Sequence, residues 1–138
     1  MSRQEDRETV VTRIRDVIAF LPTLRVGYLY GSFLTRDDFR DIDIGLLVDE
    51  QSAGEDSLTY ASRVSDALGT ALGFRYEFDV RVINQEPVWF RFEVIRTGRA
   101  IYVRDEDDRI DFETRVLVEY QDLKFMYDLF DREYLARA

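Results

Sequence analysis

The sequence predicts an α+β fold, a small mixed sheet of about four strands flanked by helices. Four segments repeat apolar residues at helical spacing, and four short runs between them are rich in β-branched and aromatic residues. The order reads α-β-β-α-β-α-β-α, with the first two strands adjacent in the chain, unlike the strict alternation of a doubly wound parallel sheet. At 138 residues the chain has the length of one domain, spanning 1–138 and large enough to bury a core without disulfides.

The elements follow in order. Ser2 and Glu5 have the spacing of a capping box, and Val10, Val11, Ile14, Val17, Ile18 and Leu21 recur on one helical face before Pro22 stops the helix. Val26 to Tyr30 is the first strand. Gly31-Ser32 makes a turn, a polar insert follows, and a second strand runs from Asp41 to about Asp49. Gln51 to Asp56, with Gly54, reads as a loop. Leu58, Ala61, Val64, Leu68 and Leu72 mark a helix from Ser57 that Gly73 ends.

Phe74 to Ile83 is the third strand, with Phe78, Val80 and Val82 on one face and Glu77, Asp79 and Arg81 on the other. Pro87 opens a helix to about Arg96, expected to pack through Val88, Phe92 and Ile95. Ala100 to Val103 is a short fourth strand and Arg104 to Asp108 a charged turn. A long helix is expected from about Arg109 onward, with Val116, Leu123, Met126 and Phe130 facing the core and Tyr120, Tyr127 and Tyr134 forming a second stripe. Tyrosine is favoured at protein interfaces, so that stripe is a candidate partner surface.

Composition excludes several chemistries. There is no cysteine and no histidine, which removes disulfides, thiol nucleophiles, Cys/His zinc sites and histidine triads. Lys124 is the single lysine, so acid–base work falls chiefly to carboxylates. A net charge of −9 disfavours a general nucleic-acid binder. With no long apolar run and no signal peptide ahead of the first helix, a soluble, cytoplasmic protein is expected.

The chemistry concentrates between the first two strands. Residues i and i+2 of a strand share a face, so Asp41 and Asp43 lie side by side. Adjacent carboxylates repel unless a cation or proton separates them. Hard oxygen ligands suit Mg²⁺, which is commonly held by one or two carboxylates together with substrate phosphates. The Gly31-Ser32 turn offers backbone N–H groups and a hydroxyl to such phosphates. Arg36 is a candidate for phosphate charge, and Asp37 and Asp38 read as surface acids. Asp79 is the strand acid whose setting suits a third metal ligand.

Gly31-Ser32, Asp41-x-Asp43 and Asp79 together resemble the minimal nucleotidyltransferases of the DNA polymerase β-like superfamily. The similarity is nearest to the branch paired as antitoxin with HEPN-domain toxins, and extends from about Arg25 to Tyr134. It implies the polymerase β-like fold, with Asp41, Asp43 and Asp79 holding two Mg²⁺ ions and Asp79 accepting the acceptor's proton. It also implies that Gly31 and Ser32 bind the triphosphate of ATP. The implied function is transfer of AMP to a tyrosine of a cognate HEPN ribonuclease toxin. The alternatives are an antitoxin that neutralises by binding alone, or nucleotidyl transfer to a small molecule such as an aminoglycoside.

Overall fold

A computed structural model describes residues 6–52 and 56–137; the expected capping box at Ser2 and Glu5, and Gly54, lie outside them. Helix α1 (Arg7–Ile18) leads into β1 (Leu24–Tyr30), a 3-10 turn (Gly31–Leu34) and β2 (Asp41–Val48). Helix α2 (Ser57–Ala71), β3 (Glu77–Val82), α3 (Val88–Thr97), β4 (Arg99–Val103) and α4 (Glu106–Arg137) complete the order. The sheet order is β3-β2-β1-β4: β1 pairs antiparallel with β2 and β4, and β2 pairs parallel with β3. The direct β1–β2 connection gives the antiparallel pair, and the crossover through α2 gives the parallel one.

Alternation along the strands sorts the core into two layers. Ile42, Ile44 and Leu46 join Val10, Ile14 and Ile18 of α1 and Val64 and Leu68 of α2 on one face. Val26, Tyr28, Leu47 and Ile83 meet Val94 of α3 on the other. Ile14 is fully buried in the larger layer, so Ile14→Ala is expected to cost about 2–5 kcal/mol through lost burial and a cavity. A thermal melt should fall by roughly 10 °C; a shift under 2 °C would contradict this packing.

Four expectations change. β3 begins at Glu77, not Phe74, because Gly73 (φ 70°) and Phe74 (φ 59°) close α2. Their N–H groups donate to the carbonyls of Thr70 and Gly69 at 3.2 and 2.8 Å, a left-handed helix stop. Helix α4 starts at Glu106, inside the segment expected as a turn. Asp105 caps it by accepting from the Asp107 N–H at 2.9 Å, and Glu106, Asp107 and Asp108 sit favourably in its first turn.

In α3 the buried residue is Val94, while Phe92 turns away from the sheet and stacks on Tyr120 at 3.7 Å. This helix packs against both the sheet and α4, so it is apolar on two sides. In α4 Val116 is buried, but Met126 and Phe130 are more than 60 % exposed, since the helix runs past the layer it packs on. No described helix is long and apolar enough to cross a membrane.

Candidate active site

The motif residues meet at one corner of the sheet. In β2 the burial of Ile42 and Ile44 turns Asp41 and Asp43 to the opposite face, toward the α3 side. Parallel pairing sets Asp43 opposite Asp79 and Asp41 opposite Glu77, and antiparallel pairing sets Asp43 opposite Tyr30. Neighbouring strands lie about 4.8 Å apart. Four acids, Asp41, Asp43, Glu77 and Asp79, thus share one patch of sheet.

The turn closes over this patch. Gly31 has φ +80°, and a Cβ placed on it would overlap the Asp43 carboxylate. Glycine is therefore required twice over, for the backbone and for the acid beneath it. Ser32 is exposed beside it, and its carbonyl accepts the N–H groups of Thr35 and Arg36 at 3.1 and 2.9 Å. The insert that follows is anchored from below. Phe33 and Phe39 are buried edge-to-face at 4.5 Å, and Arg7 of α1 donates to the carbonyls of Phe33 and Arg36 at 2.9 and 2.6 Å. Arg36 pairs with Asp38 at 3.0 Å.

Electrostatics marks Asp43 as the stressed member. Burial raises its carboxyl above the usual range, Asp79 and Asp41 add to the rise, and Arg81 opposes it. Arg81 stands 3.6 Å from Asp79 and lies over the Phe90 ring at 5.4 Å. Tyr30 packs edge-to-face on Phe90 at 5.7 Å, and burial first, then Asp43 and Asp79, raise its hydroxyl well above an ordinary tyrosine's. Tyr30, Glu77, Arg81 and Phe90 are thus neighbours of the site that the motif did not assign to it. Only cross-strand register could have placed Tyr30 against Asp43, and only tertiary packing brings Phe90 there.

The donor set suits Mg²⁺ in kind: hard carboxylate oxygens on one face, one of them destabilised in its charged form. Among the described residues, no three acids converge closely enough to hold an ion by themselves. Substrate phosphates and water would have to complete the shell, the usual pattern for this ion. A separate apolar cleft of about 560 Å³ lies between α1 and α2. It includes Tyr60, whose hydroxyl accepts from Thr23 beside the start of β1, so it lies at the far end of the sheet.

The family model for polymerase beta nucleotidyltransferases matches residues 13–107, which include β1, the turn, β2 and β3. The chain belongs to this family. It is a nucleotidyltransferase, with the polymerase β-type α+β fold.

No curated protein matches the sequence. Among solved structures the chain is similar to one described as the toxin–antitoxin MntA-HepT, at 18 % identity and TM-score 0.63, over 93 % of this chain and 98 % of that one. It is similar to a tri-AMPylated Shewanella oneidensis HEPN toxin in complex with MNT antitoxin, at 18 % identity and TM-score 0.65, over 94 % and 99 %. A toxin–antitoxin structure with AMP-PNP gives 20 % identity and TM-score 0.62, over 95 % and 99 %.

Proposed function

We propose that this nucleotidyltransferase is an antitoxin that transfers AMP from ATP to a tyrosine of a cognate HEPN toxin. One observation carries the reading: Gly31 lies directly over Asp43, which faces Asp79 across paired strands. A turn over paired acids brings a triphosphate to a site of carboxylate ligands. The similar structures with an AMPylated HEPN toxin and with AMP-PNP support the choice of partner and nucleotide.

In the proposed reaction the acceptor's hydroxyl oxygen bonds to the α-phosphorus and the bond to the β-phosphate oxygen breaks. Pyrophosphate leaves, and the hydroxyl proton passes to Asp79. Gly31 and Ser32 hold the triphosphate, and the absence of a side chain at Gly31 permits the approach. Asp41, Asp43 and Asp79 are the residues that would hold Mg²⁺. When bound, Mg²⁺ neutralises charge on the triphosphate and eases loss of the acceptor's proton. Arg81 pairs with Asp79 and lies over Phe90, and Tyr30, packed on Phe90, stands beside Asp43 in the sheet.

Asp43 supplies the test. Because its folded pKa is raised, the unfolded chain binds fewer protons in the window above the usual carboxylate value. Apo stability therefore falls as pH rises through that window and stays lower at neutral pH. Asp43→Asn should raise the apo melting temperature at pH 7 and abolish the stabilisation by MgATP. The parent should gain about 2.7 kcal/mol at a hundredfold excess over Kd. Asp41→Asn should lose most of the MgATP response as well. Variants that respond to MgATP like the parent would place the site elsewhere.

A further inference from the structure

Helix α4 is longer than anything it packs against. Its 32 residues span about 48 Å, whereas the longest strand, with 8 residues, spans about 27 Å. The first half is fastened: Tyr28 donates to Glu113 at 2.8 Å, Val116 is buried, and Tyr120 stacks on Phe92. Beyond Tyr120 the helix continues, but as far as residue 133 it leaves several large apolar side chains uncovered. Phe125, Met126 and Tyr127 are 67 %, 66 % and 62 % exposed and Leu129 is also exposed, as is Val118 on the outward side of the fastened half.

At 100° per residue these side chains form two stripes. Tyr127 continues the line of Val116 and Tyr120 that packs on α3, with Met126 about a quarter of a turn to one side. Val118, Phe125 and Leu129 lie about half a turn away, on the opposite side of the helix. Asp122 and Glu133 separate the stripes on one side, and Lys124, Asp128 and Asp131 on the other. A helix apolar on two sides suits a cleft better than a flat surface. At roughly 100 Å² left exposed on each of five side chains, the stripes offer ~500 Å², against ~800 Å² per partner in a standard interface.

We propose that residues 121–133 of α4 insert as a helix into a two-walled apolar groove, rimmed by basic residues, on the HEPN toxin. This rests on the partner assigned above. Charge decides against a second copy as occupant. The segment is net acidic on a chain of net charge −9, so self-association would set acid against acid, whereas a basic rim would complement it.

The test uses the full chain and its cognate HEPN toxin, with affinity measured by calorimetry at two salt concentrations. Phe125→Glu with Leu129→Glu, and separately Met126→Glu with Tyr127→Glu, should each weaken toxin binding roughly 100-fold or more. Both variants should keep the parent's MgATP thermal shift, and affinity of the parent should fall as salt rises. The matching alanine pairs provide the same comparison where a glutamate variant folds poorly.

Unchanged toxin binding by either pair overturns the two-walled groove. A parent that is dimeric alone, made monomeric by these changes with toxin binding intact, assigns the stripes to a second copy and overturns it too. A parent that binds no toxin removes the partner reading itself, and this inference with it; the MgATP shift still tests the nucleotidyl site separately.

Discussion

Asp79→Asn is expected to reduce AMP transfer by about 10³-fold while leaving toxin binding within twofold of the parent, the loss typical of a positioned general base. Asp79 lies opposite Asp43 in the sheet and is paired with Arg81, while α4, the proposed docking helix, packs through Val116 and Tyr120 elsewhere. The substitution keeps the side chain's size and removes its capacity to take a proton or hold charge. Intact mass of the co-expressed toxin reads the outcome: adenylyl additions with the parent, none with Asp79→Asn. An unmodified toxin with the parent under MgATP, still neutralised, would make the protein a sequestering antitoxin and not a transferase acting on this partner. Equal modification by both proteins would remove Asp79 from the chemistry.

Gly31→Val is expected to be nearly as damaging, by at least about 100-fold, since a displacement near 1 Å at a reacting centre costs that much. Two costs combine. Valine at φ +80° is strained, and its Cβ would overlap the Asp43 carboxylate, so the acid or the turn must move. Gly31→Ala separates the contributions: it retains the collision but lacks the β-branch, and should fall between parent and valine. Ser32→Ala changes no backbone and should weaken MgATP binding only several-fold, the scale of one hydrogen bond. Circular dichroism and a thermal melt establish that each variant is folded. A Gly31→Val protein with full activity would contradict both the turn's conformation and its place over Asp43.

Local pattern was sufficient to read much of this molecule. The alternation Asp41-Ile42-Asp43-Ile44 dictates that the acids share a face whatever the neighbours, because strand geometry repeats every two residues. Gly73 as a helix stop, and Phe78, Val80 and Val82 as the inward face of β3, follow from similarly local rules. The segment 31–40 was legible as a turn with a polar insert, but its anchoring by Arg7 on buried Phe33 and Phe39 was not. Those contacts cross nearly thirty positions of chain.

Only tertiary structure decided which acids confront one another and what they cost. The register of β2 against β3 sets Asp43 beside Asp79, and no spacing within either strand contains that register. The two-sided character of α3 misled the periodicity, because a helix packed against both a sheet and another helix has no single apolar stripe to read. The same limit explains α4. Its periodicity shows apolar faces equally well along buried and unburied stretches, and Met126 and Phe130 match Val116 in spacing yet differ in cover. The sequence by itself determined the elements, the glycine turn and the paired acids, because these depend on residues within a few positions of one another. The exposed stretch of α4 up to residue 133, the stress on Asp43, and the Tyr30–Phe90–Arg81 cluster beside it were decided by how those elements pack, since burial is a property of the neighbours and not of the residue.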